Sequence, residues 1–185
     1  MNYRGAIFLL VAVIALAVLF LLKQNNSYLK YSPLETGRPA PNFTLPGLDG
    51  KMVSLSNYQG HVVLVNIWAT WCPPCIDEMP SMEALYKMFK GENFEILAIS
   101  IDATGAEAVA PFMKKCNLSF PALLDPAGTI KSLYQTTGVP ESFIVNKQGI
   151  LVEKIIGPRN WADPAAVSYL RDLIRSGLKT PSSVR

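Results

Sequence analysis

The sequence predicts an α/β domain: a mixed central sheet with helices on both faces, opened by a β-hairpin and preceded by a separate apolar segment. Three observations predict it. Runs of β-branched apolar residues alternate with segments of helical spacing, a pair of strands joined by a tight turn follows, and one more amphipathic helix closes the chain. Of the 185 residues, 50% are apolar and 17% charged, which excludes global disorder. About 150 residues follow the apolar segment and its flank, enough for one domain with its own core.

Ala6–Leu22 (AIFLLVAVIALAVLFLL) carries no polar side chain. As a helix it spans about 26 Å, the lower edge of what crosses a bilayer. A cleaved signal peptide is the rival, but its apolar region is usually shorter, and Lys23-Gln24-Asn25-Asn26 lacks small-residue spacing. A buried soluble helix is the third reading. The favoured organisation is an anchor over residues 1–23, a polar tether over 24–38, a folded domain over 39–178 and a flexible tail over 179–185. Arg4 lies before the span, and Lys23 and Lys30 after it, so charge hardly orients the segment. The short N-terminal flank suggests N-terminus in, with the domain facing the periplasm or extracytoplasmic space.

Phe43–Leu45 and Met52–Leu55 flank an Asp49-Gly50 turn and read as a hairpin. Val62–Trp68 (VVLVNIW) reads as a strand buried on both faces. Ile76, Met79, Met82, Leu85, Met88 and Phe89 recur at helical spacing, and Gly91 ends that helix. Phe94–Ile101 is the next strand. Ala106–Cys116 is a helix with a possible kink at Pro111, Pro121–Leu124 a short strand and Thr129–Tyr134 a short helix. Ser142–Asn146 and Ile150–Ile156 are strands joined by Lys147-Gln148-Gly149. Asp163–Ile174 is the last helix, with Val167, Leu170, Leu173 and Ile174 on one face.

Charge and composition exclude several functions. Without the first 23 residues the chain has 15 basic and 14 acidic side chains, so it has no electrostatic footprint for nucleic acid. A single histidine, His61, argues against a histidine-rich metal site or a serine–histidine triad. No metal and no cofactor are expected.

Cys72-Pro73-Pro74-Cys75 lies directly after a strand and directly before a helix. Two cysteines at this spacing can close a small disulfide. Prolines in a first helical turn lose no hydrogen bond, and the helix N-terminus favours a thiolate. Thiolate is the reactive form. Cys72 is therefore expected to be the exposed nucleophile and Cys75, one turn in, the shielded resolving thiol. The alternatives are a zinc site, covalent haem and an inert disulfide. Zinc would need a second ligand pair, and haem attachment would need histidine where Ile76 stands.

The segment Trp68-Ala-Thr-Trp-Cys-Pro-Pro-Cys-Ile-Asp-Glu-Met-Pro80 resembles the active site of the membrane-anchored thioredoxin-like proteins of the TlpA/ResA/CcmG (DsbE) group. Gly138-Val-Pro-Glu-Ser-Phe-Ile-Val145 resembles their second signature, and the likeness runs from about Pro39 to Leu173. It implies a thioredoxin fold with an added N-terminal hairpin and a strand–helix insertion around residues 94–124. It also implies extracytoplasmic thiol–disulfide exchange on protein clients, typically reducing. A typical client is apocytochrome c during cytochrome c maturation, and a typical electron donor is a membrane thiol transporter of the CcdA or DsbD type.

The same resemblance makes Pro140 the cis-proline facing the cysteines, exposing the Val139 backbone to an extended client. An ordinary trans turn proline is the alternative. Glu78, three residues after Cys75, shares its helix face and could exchange a proton with it, or could simply be a first-turn acid. Trp71 resembles the family's exposed active-site tryptophan, and Pro73 and Pro74 would border the groove with it. Glu141 borders that groove or is plain surface. Asp77 reads as a solvated acid, and Trp68 and Trp161 as packing residues. Cys116 reads as a buried apolar thiol, His61 as surface, and Met79, Met82 and Met88 as core. A disulfide-forming oxidant, a redox-inactive binding module and a peroxiredoxin remain rivals. The last would want threonine three residues before its reactive cysteine, where Ala69 stands before Cys72.

Overall fold

The computed structural model describes residue 3, residues 11–20 and residues 34–176. The chain divides into two compact units, Met1–Pro33 and Leu34–Arg185. In the first, residues 11–20 are helical with exposed side chains. No helix among the described residues is long and apolar enough to cross a membrane. The remainder of the expected anchor over 1–23, most of the tether over 24–38 and the tail over 179–185 lie outside the described residues.

The second unit is built on a five-stranded sheet. Its strands are β3 (Val62–Trp68), β4 (Phe94–Ser100), β5 (Ala122–Leu124), β6 (Glu141–Val145) and β7 (Leu151–Ile156), in the spatial order β5-β4-β3-β6-β7. β3, β4 and β5 are parallel, while β6 and β7 run antiparallel to their neighbours. β3 is central because its seven residues are all buried and need cover on both faces. Burying each of its large apolar side chains contributes about 1.5–3 kcal/mol. The hairpin of β1 (Thr44–Pro46) and β2 (Met52–Ser54) pairs Leu45 with Val53. Gly50 takes φ +78° at its turn, a region where glycine has no Cβ penalty.

One face of the sheet packs against α1 (Pro73–Met88), α2 (Ala106–Lys115) and α4 (Pro164–Ser176). It does so through Met79, Met82, Leu85, Val109, Met113, Leu170 and Leu173. The other face is covered by the hairpin's flank (Phe43, Leu55) and by α3 (Thr129–Leu133) with Tyr134. The expected mixed sheet with helices on both faces, the opening hairpin and the β4–α2–β5 segment are all present. Pro111 is accommodated inside α2. The last turn of α1 corrects one expectation: Met88 is exposed, because it lies on the helix's outer side, where its sulfur faces Arg171.

The parallel arrangement brings the C-terminal end of β3 and the start of α1 to one edge. The antiparallel β6 starts at that same edge, so residues 68–78 and 137–142 meet there although they are far apart in sequence.

Candidate active site

Cys72 is the N-cap of α1, with extended backbone, and Pro73 and Pro74 occupy the first helical turn. Cys72 and Cys75 are joined by a disulfide, with Cα atoms 5.3 Å apart. The Cys75 backbone N–H donates to Cys72 Sγ at 3.3 Å. That donor, with the helix N-terminus behind it, favours negative charge on Cys72 when the pair is reduced. Trp71 is 63% exposed and Pro73 is also exposed, while Pro74 is half-buried.

Cys75 is fully buried, as expected of a resolving thiol. Cys72 is buried too, at 4% exposure, which corrects the expectation of an exposed nucleophile. The reason is the facing loop: the Val139 carbonyl oxygen lies 3.6 Å from Cys72 Sγ. The Val139–Pro140 peptide bond is cis. Val139 is half-buried and Pro140 buried, so the second signature closes over the first.

Glu78 is 3% exposed. Asn66 Nδ2 donates to one carboxylate oxygen at 2.8 Å. The other accepts the Arg159 backbone N–H at 3.1 Å and Trp161 Nε1 at 3.4 Å. Burial raises its proton affinity above the ordinary carboxylate range, and the hydrogen bonds from Asn66, Arg159 and Trp161 offset this only in part. A cavity of about 330 Å³ opens beside it, lined also by Ser81, Pro158 and Asn160. Asp77 is exposed, as expected.

Glu141 is fully buried, which excludes both the groove-border and the plain-surface readings. It is the first residue of β6, between Ile67 and Ile156 of the neighbouring strands, and its carboxylate is enclosed by Thr137, Gly138 and Lys154. One of its oxygens accepts from Thr137 N–H (2.8 Å), Thr137 Oγ1–H (2.6 Å) and Gly138 N–H (3.3 Å). The other pairs with the Lys154 ammonium at 3.1 Å.

Trp68 and Trp161 are buried, and Trp161 also serves as a donor to Glu78. Cys116 is half-buried at the end of α2, carries no disulfide and is less enclosed than expected. His61 is half-buried, with Nδ1 enclosed, instead of lying fully on the surface. Among the described residues no cluster of three or more His, Cys, Asp or Glu could hold a metal ion.

Several site residues were missed in the sequence. Asn66 is a lone polar residue inside an apolar strand, on the same face as Trp68 by the two-residue period, and that was its available signal. Thr137, Lys154 and Arg159 carry no local signal of this kind.

The arrangement supports disulfide exchange. A Cys72 thiolate attacks a client disulfide and releases one client sulfur as thiolate. Cys75 then attacks Cys72, closing the internal disulfide and releasing the second client sulfur. Two electrons pass from the dithiol to the client, and each departing thiolate takes up a proton.

Known proteins agree with this chemistry. Residues 36–154 match the AhpC/TSA family. The thiol-disulfide oxidoreductase ResA of Bacillus thuringiensis subsp. konkukian is 39% identical over 141 residues, covering 76% of this chain and 80% of that protein. ResA of Bacillus subtilis is 36% identical over 124 residues, covering 67% of this chain and 69% of that protein. Among solved structures, one from Chlorobium tepidum described as thiol:disulfide interchange protein DsbE superimposes with a TM-score of 0.67 at 32% identity, covering 79% of this chain and 99% of that one. StoA of Bacillus subtilis gives a TM-score of 0.60 at 26% identity, covering 73% and 98%. With a disulfide at Cys72–Cys75 under a cis Val139–Pro140 bond, this chain belongs to the AhpC/TSA family and, within it, to the TlpA/ResA/CcmG-type thiol–disulfide oxidoreductases.

Proposed function

We propose that this protein is a membrane-tethered, extracytoplasmic reductant of protein disulfides, with apocytochrome c as its client during cytochrome c maturation. The observation that carries the reducing direction is Glu78, buried one helical turn beyond Cys75. A buried carboxyl group there does not stabilise a thiolate as a cation would, and oxidants of this fold depend on a stabilised thiolate in their reduced form. Glu78 can also take the Cys75 proton in the second exchange step and return it as the dithiol re-forms. Ala6–Leu22 supports the tether, and the likeness to the TlpA/ResA/CcmG group supports the client and a CcdA- or DsbD-type electron donor.

The first test is the reduction potential of Cys72–Cys75 in the full chain in detergent, equilibrated in thiol buffers and read by alkylation and mass. A value near or below about −270 mV is expected, and one near about −120 mV would make the protein an oxidant. In the native host, deletion should abolish c-type cytochromes, and the wild-type gene should restore them while a Cys72→Ser gene should not. Normal cytochromes after deletion would remove the client assignment. Membrane attachment predicts recovery in the membrane fraction, released by protease only from the outer side.

A further inference from the structure

The two loops that meet at the active site are each held from beneath by a buried carboxylate, in the same way. Asp102, 3% exposed, accepts from Thr70 N–H at 3.0 Å and Thr70 Oγ1–H at 2.6 Å. Ser100 Oγ–H also donates to it at 2.7 Å. Glu141, 0% exposed, accepts from Thr137 N–H at 2.8 Å and Thr137 Oγ1–H at 2.6 Å. Thr70 stands two residues before Cys72, and Thr137 two residues before Val139. Those are the two residues whose Sγ and carbonyl oxygen approach to 3.6 Å.

Burying a carboxylate is costly unless charged or hydrogen-bonded partners meet it. Here the partners are the backbone N–H and hydroxyl of the loop itself, so loop position and carboxylate satisfaction are one condition. On the Val139 side the hold is doubled. The Lys154 ammonium lies 3.1 Å from Glu141, donates to the Gln135 carbonyl at 2.9 Å and sits 5.4 Å from the centre of the Phe143 ring. The loop from Gln135 to Gly138 is thus tied at both ends.

We propose that Asp102 and Glu141 are positioning residues for disulfide exchange, each fixing one of the two loops through its threonine. Asp102 sets the approach of Cys72 Sγ to any disulfide. Glu141, with Lys154, sets the Val139 carbonyl against which an extended client aligns its own disulfide. This rests on the exchange activity proposed above but holds for either redox direction.

The test uses the full chain in detergent, reduced, with Thr70→Val, Thr137→Val, Thr70→Ser and Thr137→Ser. Each is assayed well below its own melting midpoint on two probes: a small aromatic disulfide (DTNB) and insulin. Exchange through a displaced loop should slow by about tenfold, since misplacement of an ångström can cost more than that. Thr70→Val should slow both probes. Thr137→Val should lower the ratio of the insulin rate to the DTNB rate by about fivefold, because a small disulfide meets the uncovered Cys72 Sγ without aligning on the Val139 backbone. The serine variants, which keep the hydroxyl, should recover to within about twofold of wild type. A purely structural role would lower melting temperatures without separating the probes. Valine variants at wild-type rates on both probes, or serine variants as slow as valine, would overturn the proposal. Should Thr137→Val fail to fold, Thr137→Ala is read in its place, with the same loss on insulin relative to DTNB expected and a wild-type ratio overturning it. A wild-type chain inert toward both probes would instead refute the exchange activity itself.

Discussion

At the level of single residues, the site is governed by what surrounds each ionisable group. Glu78 holds its proton more tightly in the folded chain than in the unfolded one, because burial outweighs the donors from Asn66, Arg159 and Trp161. Its contribution to stability is therefore complete below the ordinary carboxylate range and is lost as pH rises through its folded-state value. Glu78→Gln removes that loss. The variant is expected to gain stability relative to wild type as pH rises above the ordinary carboxylate range, measured by urea unfolding at a series of pH values. A wild-type-to-variant difference independent of pH would show that Glu78 is not buried against its charge. The same substitution should slow the second step, so that a Cys72-linked mixed disulfide accumulates and is visible by mass. Cys75→Ser should trap that species fully, and Cys72→Ser should form none.

At the level of elements, α1 does two things: its first turn presents the cysteines, and its middle fixes the helix to the rest of the fold. The fixing is done partly by Glu83, 7% exposed, which accepts from Ser119 N–H (2.7 Å) and Oγ–H (2.6 Å) and pairs with Lys87 at 3.0 Å. Burial works against its charge, but the Ser119 and Lys87 partners win and hold the carboxyl below its ordinary range. That stabilisation is present above the carboxylate range and lost as pH falls through the folded-state value. Glu83→Gln should cost about 2 kcal/mol near neutral pH, the scale of a hydrogen bond to a charged group. The deficit should shrink on acidification, the opposite pH trend to Glu78→Gln. On the other face, Tyr134 donates to the Pro41 carbonyl at 2.7 Å and packs on Phe43 and Phe143. Tyr134→Phe should keep the packing and cost about 1 kcal/mol through the lost hydrogen bond, read as a shift in the urea midpoint with unchanged slope.

At the level of the whole molecule, the unit from Leu34 onward has its own two-sided core and its own site. Gly37 and Arg38 exchange backbone hydrogen bonds with Leu151, so the folded unit is already engaged there. A chain beginning at Leu34 is expected to unfold in one cooperative urea transition, read alike by circular dichroism and tryptophan fluorescence. Transitions that differ between the two probes would mean that this unit does not fold as one body.

Much of this was written in the sequence by local physics. The buried run Val62–Trp68, the helical spacing from Ile76 onward and the Asp49-Gly50 turn fixed element types, because side-chain periodicity and backbone freedom are properties of neighbouring residues. Cys72 and Cys75 were legible for the same reason, their spacing and setting being local. The ends of elements moved by a residue or two, as capping geometry decides them. What only the tertiary structure decided is every relation across the sheet. Folding back β6 antiparallel to β3 covers Cys72 with Val139. Glu141 is enclosed by Thr137, Gly138 and Lys154, and the segment after β7 carries Arg159 and Trp161 to Glu78. Burial and proton affinity depend on atoms brought together across 67 to 83 residues of chain, and no local pattern encodes such meetings.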